Sequence, residues 1–341
     1  MTTQVKPNRK EATIAVFLDA VPAPKSGSTN ANVSNGGGIS AWRLSAAQRK
    51  RLASAAPQID FRFCDDQAAF LAVLPDADAV LVWSFKPEWV ALAPHLKWIA
   101  TPAAGRDYFK CPKTGIEMTY GAFHGQIIGE TVIGMLLAVR RGLLPAQAAI
   151  GAGNPWPREA IAPAMRTLRG SHAVIVGFGS IGTWIASYLK PFHVRITGIR
   201  RHPEATPRPS FFEDGDRVLP LSELDAILPT ADSLILCLPG TPEAQNILDS
   251  RRLALLPSDA IVCNVGRGNA LDEGALMDAL REERLCAACL DVFRTEPLPA
   301  GSPLRECPNL YLFPHSSAIA PEYLDLYLDE YIPLVQERFG K

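Results

Sequence analysis

The chain has almost no excess charge of either sign: 34 lysines and arginines stand against 35 aspartates and glutamates, a formal net charge of −1 over 341 residues. Without a whole-protein field there is little to hold a polyanion. The basic pieces Arg49–Arg51, Arg140–Arg141 and Arg200–Arg201 are short and scattered, so no nucleic-acid partner is expected. Long hydrophobic runs are missing as well. The longest, Ile127–Val139, is broken by Glu130 and is too short to span a bilayer, so no membrane partner is expected. Lys6, Arg9 and Lys10 ahead of Ala12–Ala23 echo the start of a signal peptide, but Asp19 interrupts the run. The alternation in Thr13–Leu18 suits a first strand better, and the chain is expected to be soluble and cytoplasmic. Cysteine is present without the pattern of a disulfide framework: there are seven, an odd number in a long chain. Cys286 and Cys289 form a lone CxxC with no second pair, inside a stretch that reads as a buried strand. There free cysteine behaves as a small hydrophobe, and no metal site is expected.

What is present is an ordinary globular composition, 48% apolar and 20% charged. At roughly 150 residues per domain the length suggests two domains, each able to bury a core. Residues 22–40 stand apart, with Pro22-Ala23-Pro24 followed by a Gly/Ser/Asn-rich tract that predicts a mobile surface loop. Beyond it, a helix over Ser45–Ala56 precedes strands at Ile59–Cys64, Ala79–Trp83 and Lys97–Thr101. That alternation is the mark of a parallel sheet. Ile128, Val132, Leu136 and Val139 recur at helical spacing in Ile128–Gly142, with Arg140 and Arg141 in the last turn. Leu144–Pro163 is rich in proline and glycine and reads as a connector carrying Trp156. A second strand–helix alternation runs from Ser171 to about Pro314. In Pro321–Phe339 one helical face carries Leu324, Leu328, Tyr331 and Val335, and Pro333 predicts a kink or an end.

Gly177-Phe178-Gly179-Ser180-Ile181-Gly182 fits GxGxxG. It follows the apolar run Ala173–Val176 and precedes Trp184, Ile185, Tyr188 and Leu189 at helical spacing, the context of a dinucleotide-binding turn. Gly177 permits the tight turn, Gly179 lets backbone approach a pyrophosphate, and Gly182 allows close packing of helix on strand. The helix N-terminus, with Ser180 and Ile181, offers free N–H groups to phosphate. An NAD-binding fold usually carries a carboxylate at the end of the next strand. Here Arg200, Arg201 and His202 follow Val194–Ile199, and no carboxylate occurs before Glu204. Two arginines suit a 2′-phosphate, so NADP(H) is the expected cofactor, with NAD(H) as the other possibility.

Three further stretches each follow a strand: Cys263-Asn264-Val265-Gly266-Arg267-Gly268, Leu290-Asp291-Val292-Phe293-Arg294-Thr295-Glu296-Pro297, and Phe313-Pro314-His315-Ser316-Ser317-Ala318. Ligands of open α/β sheets bind outside the carboxyl ends of strands, so an arginine, a carboxylate and a histidine could converge there. With these four motifs in this order, and with Thr101-Pro102-Ala103-Ala104-Gly105-Arg106-Asp107 before them, the sequence resembles the D-isomer-specific 2-hydroxyacid dehydrogenases. The resemblance covers roughly residues 75–320.

The resemblance implies two Rossmann-like or flavodoxin-like parallel-sheet α/β domains with the substrate in a cleft between them. Residues 1–126, completed by a C-terminal helix at 318–341, would form the substrate domain, and 127–317 the dinucleotide-binding domain. It further implies hydride transfer between NAD(P)H and C2 of a small 2-oxo or 2-hydroxy acid of the glyoxylate/hydroxypyruvate type. His315 would be the general acid and base. Glu296 would fix its tautomer and favour its protonated form. Arg267 would grip the carboxylate and polarise the carbonyl. Backbone around Ala104 and Gly105 would hold the carboxylate from the other domain. Pro239, Val265 and Asp291 would stand with the cofactor-binding residues, Asp291 in a supporting role beside the catalytic pair. Family members are commonly homodimers, and Trp156's connector lies where their contacts often fall. The competing implications are a formate- or phosphite-type dehydrogenase, the former disfavoured by Glu296, and a non-enzymatic NAD(H)-sensing regulator of the same fold.

Overall fold

Short runs of apolar residues recur as strands buried on both faces, as parallel sheets covered by helices require. The computed structural model describes residues 12–18, 42–105, 111, 115–205 and 207–340. The 22–40 segment therefore lies outside the described residues. The chain divides into two compact units, Met1–Phe123 with Ile319–Lys341, and His124–Ala318.

In the first unit, β1 (Ala12–Phe17), β2 (Ile59–Phe63), β3 (Ala79–Val82), β4 (Trp98–Thr101) and β5 (Glu117–Tyr120) pair in the order β2-β1-β3-β4-β5, all parallel. Every residue of β3 and β4 is buried, whereas the edge strands β2 and β5 are only partly covered. Helix α1 (Ala46–Ala55) starts where the sequence predicts because Ser45 forms a capping box with Gln48. A helix not foreseen in the sequence, α2 (Gln67–Val73), is capped by Asp66, whose carboxylate accepts the Ala69 N–H at 2.8 Å. The C-terminal helix Tyr323–Phe339 belongs to this unit and stacks Tyr331 on the buried Trp98 ring at 5.4 Å. It runs through Pro333 without ending. The lost backbone donor is outweighed there by the burial of Tyr331 and Val335 on either side.

The second unit holds α3 (His124–Arg140), α4 (Leu143–Gly151), α5 (Arg158–Ile161), β6 (His172–Val176), α6 (Ser180–Leu189), β7 (Arg195–Ile199), β8 (Arg217–Leu219), α7 (Leu224–Ile227), β9 (Ser233–Leu236), α8 (Ser250–Leu253), β10 (Ile261–Asn264), α9 (Glu273–Arg281), β11 (Ala287–Leu290) and β12 (Leu310–Leu312). The Tyr323–Phe339 helix of the first unit is α10. The strands pair in the order β12-β11-β10-β9-β6-β7-β8, all parallel. Alternate residues feed two cores on opposite faces: Val174, Val176, Leu234 and Val262 on one, Ala173, Ile175, Ile235 and Ile261 on the other. Chain order reverses direction between β6 and β9, which is where such sheets bind ligands.

The stretch Leu144–Pro163 differs from the expected connector, since it contains α4 and α5. Pro145 falls in the first turn of α4, where a missing N–H costs nothing, and alanines follow it. No residue of α4 is buried, and Trp156 just beyond is 78% exposed. All seven cysteines are free thiols. Cys289 sits opposite Cys263 in the β10–β11 register, and burial pushes the neighbouring Cys237 thiol up to about 12. Among the described residues, no helix is long and apolar enough to cross a membrane. Among the same residues, no three His, Cys, Asp or Glu side chains gather as a metal site.

Candidate active site

The GFGSIG turn leaves β6 with Gly177 at φ +94°, a conformation that disfavours any side chain. A Cβ on Gly177 would also lie 2.7 Å from the Cys237 carbonyl oxygen. The N–H groups of Gly177 and Phe178 both donate to the Ile199 carbonyl at 2.9 Å, which binds the turn to the end of β7. Gly182 lets α6 settle on β6, since a Cβ there would be 3.0 Å from the Gly177 oxygen. Gly179 differs: beyond its chain neighbours, no protein atom stands within 4 Å of where its Cβ would be. Protein packing does not demand a glycine at 179, whereas a phosphate group against exposed backbone would. The residues present therefore fit a bound dinucleotide. Ser180 is exposed and Ile181 half-buried in the first turn of α6.

Beside this turn lies a groove of about 670 Å³, lined by Gly179, Ser180, Thr183, Arg200, Pro207 and Phe211 among others. Arg200 is half-buried and reaches it, its N–H anchored on the Leu219 carbonyl at 3.1 Å. Arg201 is exposed, and its charge is felt at Glu243. Glu204, the first carboxylate after β7, is exposed and pairs with His202 at 3.6 Å. Across the sheet, Pro239 is exposed after β9, while Val265 is buried and its N–H donates to the Leu236 carbonyl at 3.0 Å.

The other three motifs occupy the carboxyl ends of β10, β11 and β12. His315 Nδ1 lies 2.8 Å from Glu296 Oε2, and the second carboxylate oxygen of Glu296 accepts the Phe293 N–H at 2.9 Å. The His315 side chain is 49% exposed and that of Glu296 32%, so the ring is held on one side and open on the other. The hydrogen bond to Glu296 raises the His315 pKa above its ordinary value, against the opposing pull of burial and of the Arg267 charge. Burial works to raise Glu296, but the hydrogen bonds from His315 and Phe293 outweigh it and hold the carboxyl below the usual range. With Nδ1 facing the carboxylate, the proton the ring can exchange is on Nε2.

His315 has φ +50°, rarely adopted by a residue with a side chain, and its surroundings account for it. Its N–H donates to the Asp291 carbonyl at 2.9 Å. The fully buried Asp291 carboxylate takes the next two N–H groups, Ser316 at 2.9 Å and Ser317 at 3.0 Å. Asp291 thus sets the path of the histidine loop. Arg267 is half-buried on a turn that packs on the Glu296 loop: a Cβ at Gly268 would lie 2.0 Å from the Phe293 carbonyl carbon. A clamp that the motif reading passed over is Arg294. Its Nε and Nη2 donate to the Leu271 carbonyl at 2.9 and 2.7 Å, and its N–H to Glu273 at 2.8 Å. Its place inside the DVFRTEP stretch was the available signal. Ala104 and Gly105 lie in the first unit, just beyond β4, while Arg106 and Asp107 fall outside the described residues.

Residues 133–317 match the family model described as D-isomer specific 2-hydroxyacid dehydrogenase, NAD binding domain. The chain belongs to this family. A glyoxylate reductase of Thermofilum pendens is 31% identical over 270 residues, covering 75% of this chain and 74% of that protein. A D-3-phosphoglycerate dehydrogenase of Mycobacterium leprae is 30% identical over 290 residues, 80% of this chain. The chain spans about half the length of that relative, 52%. Among solved structures, a D-isomer specific 2-hydroxyacid dehydrogenase family protein from Aeromonas salmonicida superposes with a TM-score of 0.68 at 28% identity, covering 97% of both chains. This 2-hydroxyacid dehydrogenase family member thus shares its parallel-sheet α/β fold with a solved member of the family, and its relatives are named as a reductase and a dehydrogenase.

Proposed function

We propose that this chain is a reductase of small 2-oxo acids of the glyoxylate/hydroxypyruvate type that prefers NADP(H) to NAD(H). The observation that carries the reading is the His315–Glu296 pair at 2.8 Å, half open to solvent, with the Arg267 charge acting on both. When bound, the nicotinamide supplies the hydride. His315 donates a proton from Nε2 to the carbonyl oxygen as the carbon is reduced, and takes it back in the reverse direction. Glu296 raises the pKa of the ring through its hydrogen bond and so favours the protonated form that the step uses. Arg267 offers its planar fork of donors to the substrate carboxylate and polarises the carbonyl. Asp291 holds the histidine loop.

Gly177, Gly179, Ser180, Ile181 and Gly182 receive the pyrophosphate, with Pro239 and Val265 bordering the nucleotide. Arg200 in the groove, and Arg201 beside it, select the 2′-phosphate. The apolar and uncovered α4 with Trp156 supports a homodimer as the working form. The test is to follow NADPH and NADH absorbance with glyoxylate, hydroxypyruvate, pyruvate and longer 2-oxo acids. Turnover faster with NADPH is expected. No turnover with any of them overturns the reading in favour of a nucleotide-sensing regulator.

A further inference from the structure

Asn264 ends β10 fully buried, although the rest of that strand is Ile261, Val262 and Cys263. A buried amide is costly unless its polar atoms are matched, and sheet packing alone would accept an apolar residue here. Its Oδ1 accepts the Gly266 N–H at 3.1 Å, and its Nδ2 donates to the Arg267 carbonyl at 3.1 Å. Its backbone carbonyl accepts the Asp291 N–H at 3.0 Å, from the residue that sets the histidine loop. One side chain therefore holds both the Gly266 N–H and the Arg267 carbonyl of the turn, while its backbone ties that turn to the neighbouring strand.

The turn is confined from outside as well. A Cβ on Gly266 would lie 2.5 Å from the Leu238 oxygen, and one on Gly268 2.0 Å from the Phe293 carbonyl carbon. Those walls fix where the loop passes but not how the Arg267 peptide is turned about its axis. The Arg267 carbonyl is held there by two donors, the Ala270 N–H at 3.3 Å and the shorter bond from Asn264 Nδ2, and of the two only the amide is a side chain that ties this peptide back to β10. Arg267 Nη1 folds back on the Gly266 carbonyl at 2.8 Å, so the guanidinium takes its bearing from the same turn.

We propose that Asn264 is a positioning residue that aims the Arg267 guanidinium at the substrate. The proposal rests on the reading of Arg267 as the group that binds the acid. Buried beneath the turn, Asn264 acts through the Arg267 peptide that it holds. Misplacing a binding group by about 1 Å can cost on the order of 10²-fold in rate.

The experiment is a mutant cycle on the full chain, read as kcat and KM for a 2-oxo acid with saturating NADPH, together with the NADPH Kd from fluorescence. Asn264→Ala should raise KM, lower kcat and cut kcat/KM by about 10- to 100-fold, leaving the NADPH Kd within about twofold. Asn264→Asp keeps the shape and the acceptor for Gly266 but sets an oxygen against the Arg267 carbonyl. It should show the same loss, and it serves as the test should the alanine variant fold poorly. In an Arg267→Lys background, which has no planar fork to aim, loss of Asn264 should cost less than about threefold further. An equal loss in both backgrounds, or kcat/KM within about twofold of wild type for the folded variants, would overturn the proposal and leave the reading of Arg267 standing. A wild-type protein that reduces no 2-oxo acid would overturn that reading, and the proposal with it.

Discussion

His315 carries the heaviest demand of any residue in the site. It holds a φ of +50° and pairs with Glu296 at 2.8 Å. Because the pair raises the histidine pKa in the folded protein, its contribution to stability is complete below the unfolded value, near 6.5. It is lost as pH rises through the raised value. Glu296, held low, contributes above the ordinary carboxylate range and loses its share as pH falls through its depressed pKa. On the proposed role of His315 as the acid, reduction should decline as pH rises through that raised pKa, and oxidation should increase over the same interval. A rate–pH profile in each direction checks this, and a Glu296→Gln variant should move both midpoints downward. At the cofactor, Arg200→Asp should weaken NADPH by about 10- to 150-fold, the worth of one charge-assisted hydrogen bond. It should spare or improve NADH. Higher salt should narrow the wild-type preference, because the contact is near the surface. Equal kcat/KM with both cofactors at low salt would mean that the arginines are solvated loop charges.

At the scale of elements, glycines that look alike in sequence do different work. Gly268 is demanded by protein, since a Cβ would meet Phe293 backbone at 2.0 Å, whereas a Cβ on Gly179 would meet no protein atom within 4 Å beyond its chain neighbours. Gly268→Ala should therefore destabilise the protein by about 1–3 kcal/mol, as overpacking does, at roughly 2–4 °C of thermal midpoint per kcal/mol. Gly179→Ala should leave the midpoint unchanged without cofactor and weaken NADPH binding. A thermal scan with and without NADPH separates the two. The strands that carry the motifs were legible in the sequence because they are apolar runs ending in glycine or polar turns. Edge strand β5, Glu117–Tyr120, was not, because a half-exposed strand needs no apolar run. Helix α4 was hidden by Pro145, which sits where a helix tolerates proline, and α10 continues past Pro333 because tertiary burial outweighs one missing bond. The order of the motifs pointed to Glu296 beside His315. The capping of Ser316 and Ser317 by Asp291 was out of reach of spacing arguments, since it joins backbone and side chain 25 and 26 positions apart.

For the molecule as a whole, the cofactor should act as a folding ligand. Binding only the native state at about 100 times its Kd, NADPH should add about 2.7 kcal/mol of stability. NADH at the same concentration should add less. The thermal midpoint should rise accordingly, and Gly179→Ala and Arg200→Asp should each shrink the rise. The homodimer is checked by light scattering: the wild type should have twice the chain mass of 36.9 kDa. Trp156→Glu should shift it toward the monomer with kcat/KM measured alongside. A wild-type monomer at micromolar concentration would remove the dimer from the account.

The proposed mechanism stands on His315, tuned by Glu296, moving the proton that accompanies hydride transfer to a 2-oxo acid. The most direct test is the turnover of His315→Ala beside wild type with saturating NADPH and glyoxylate or hydroxypyruvate, with the NADPH Kd measured on the same preparations. For the variant, kcat should be lower by at least about 10²–10⁴-fold with the Kd unchanged. A His315→Ala protein that keeps near-wild-type kcat would contradict it.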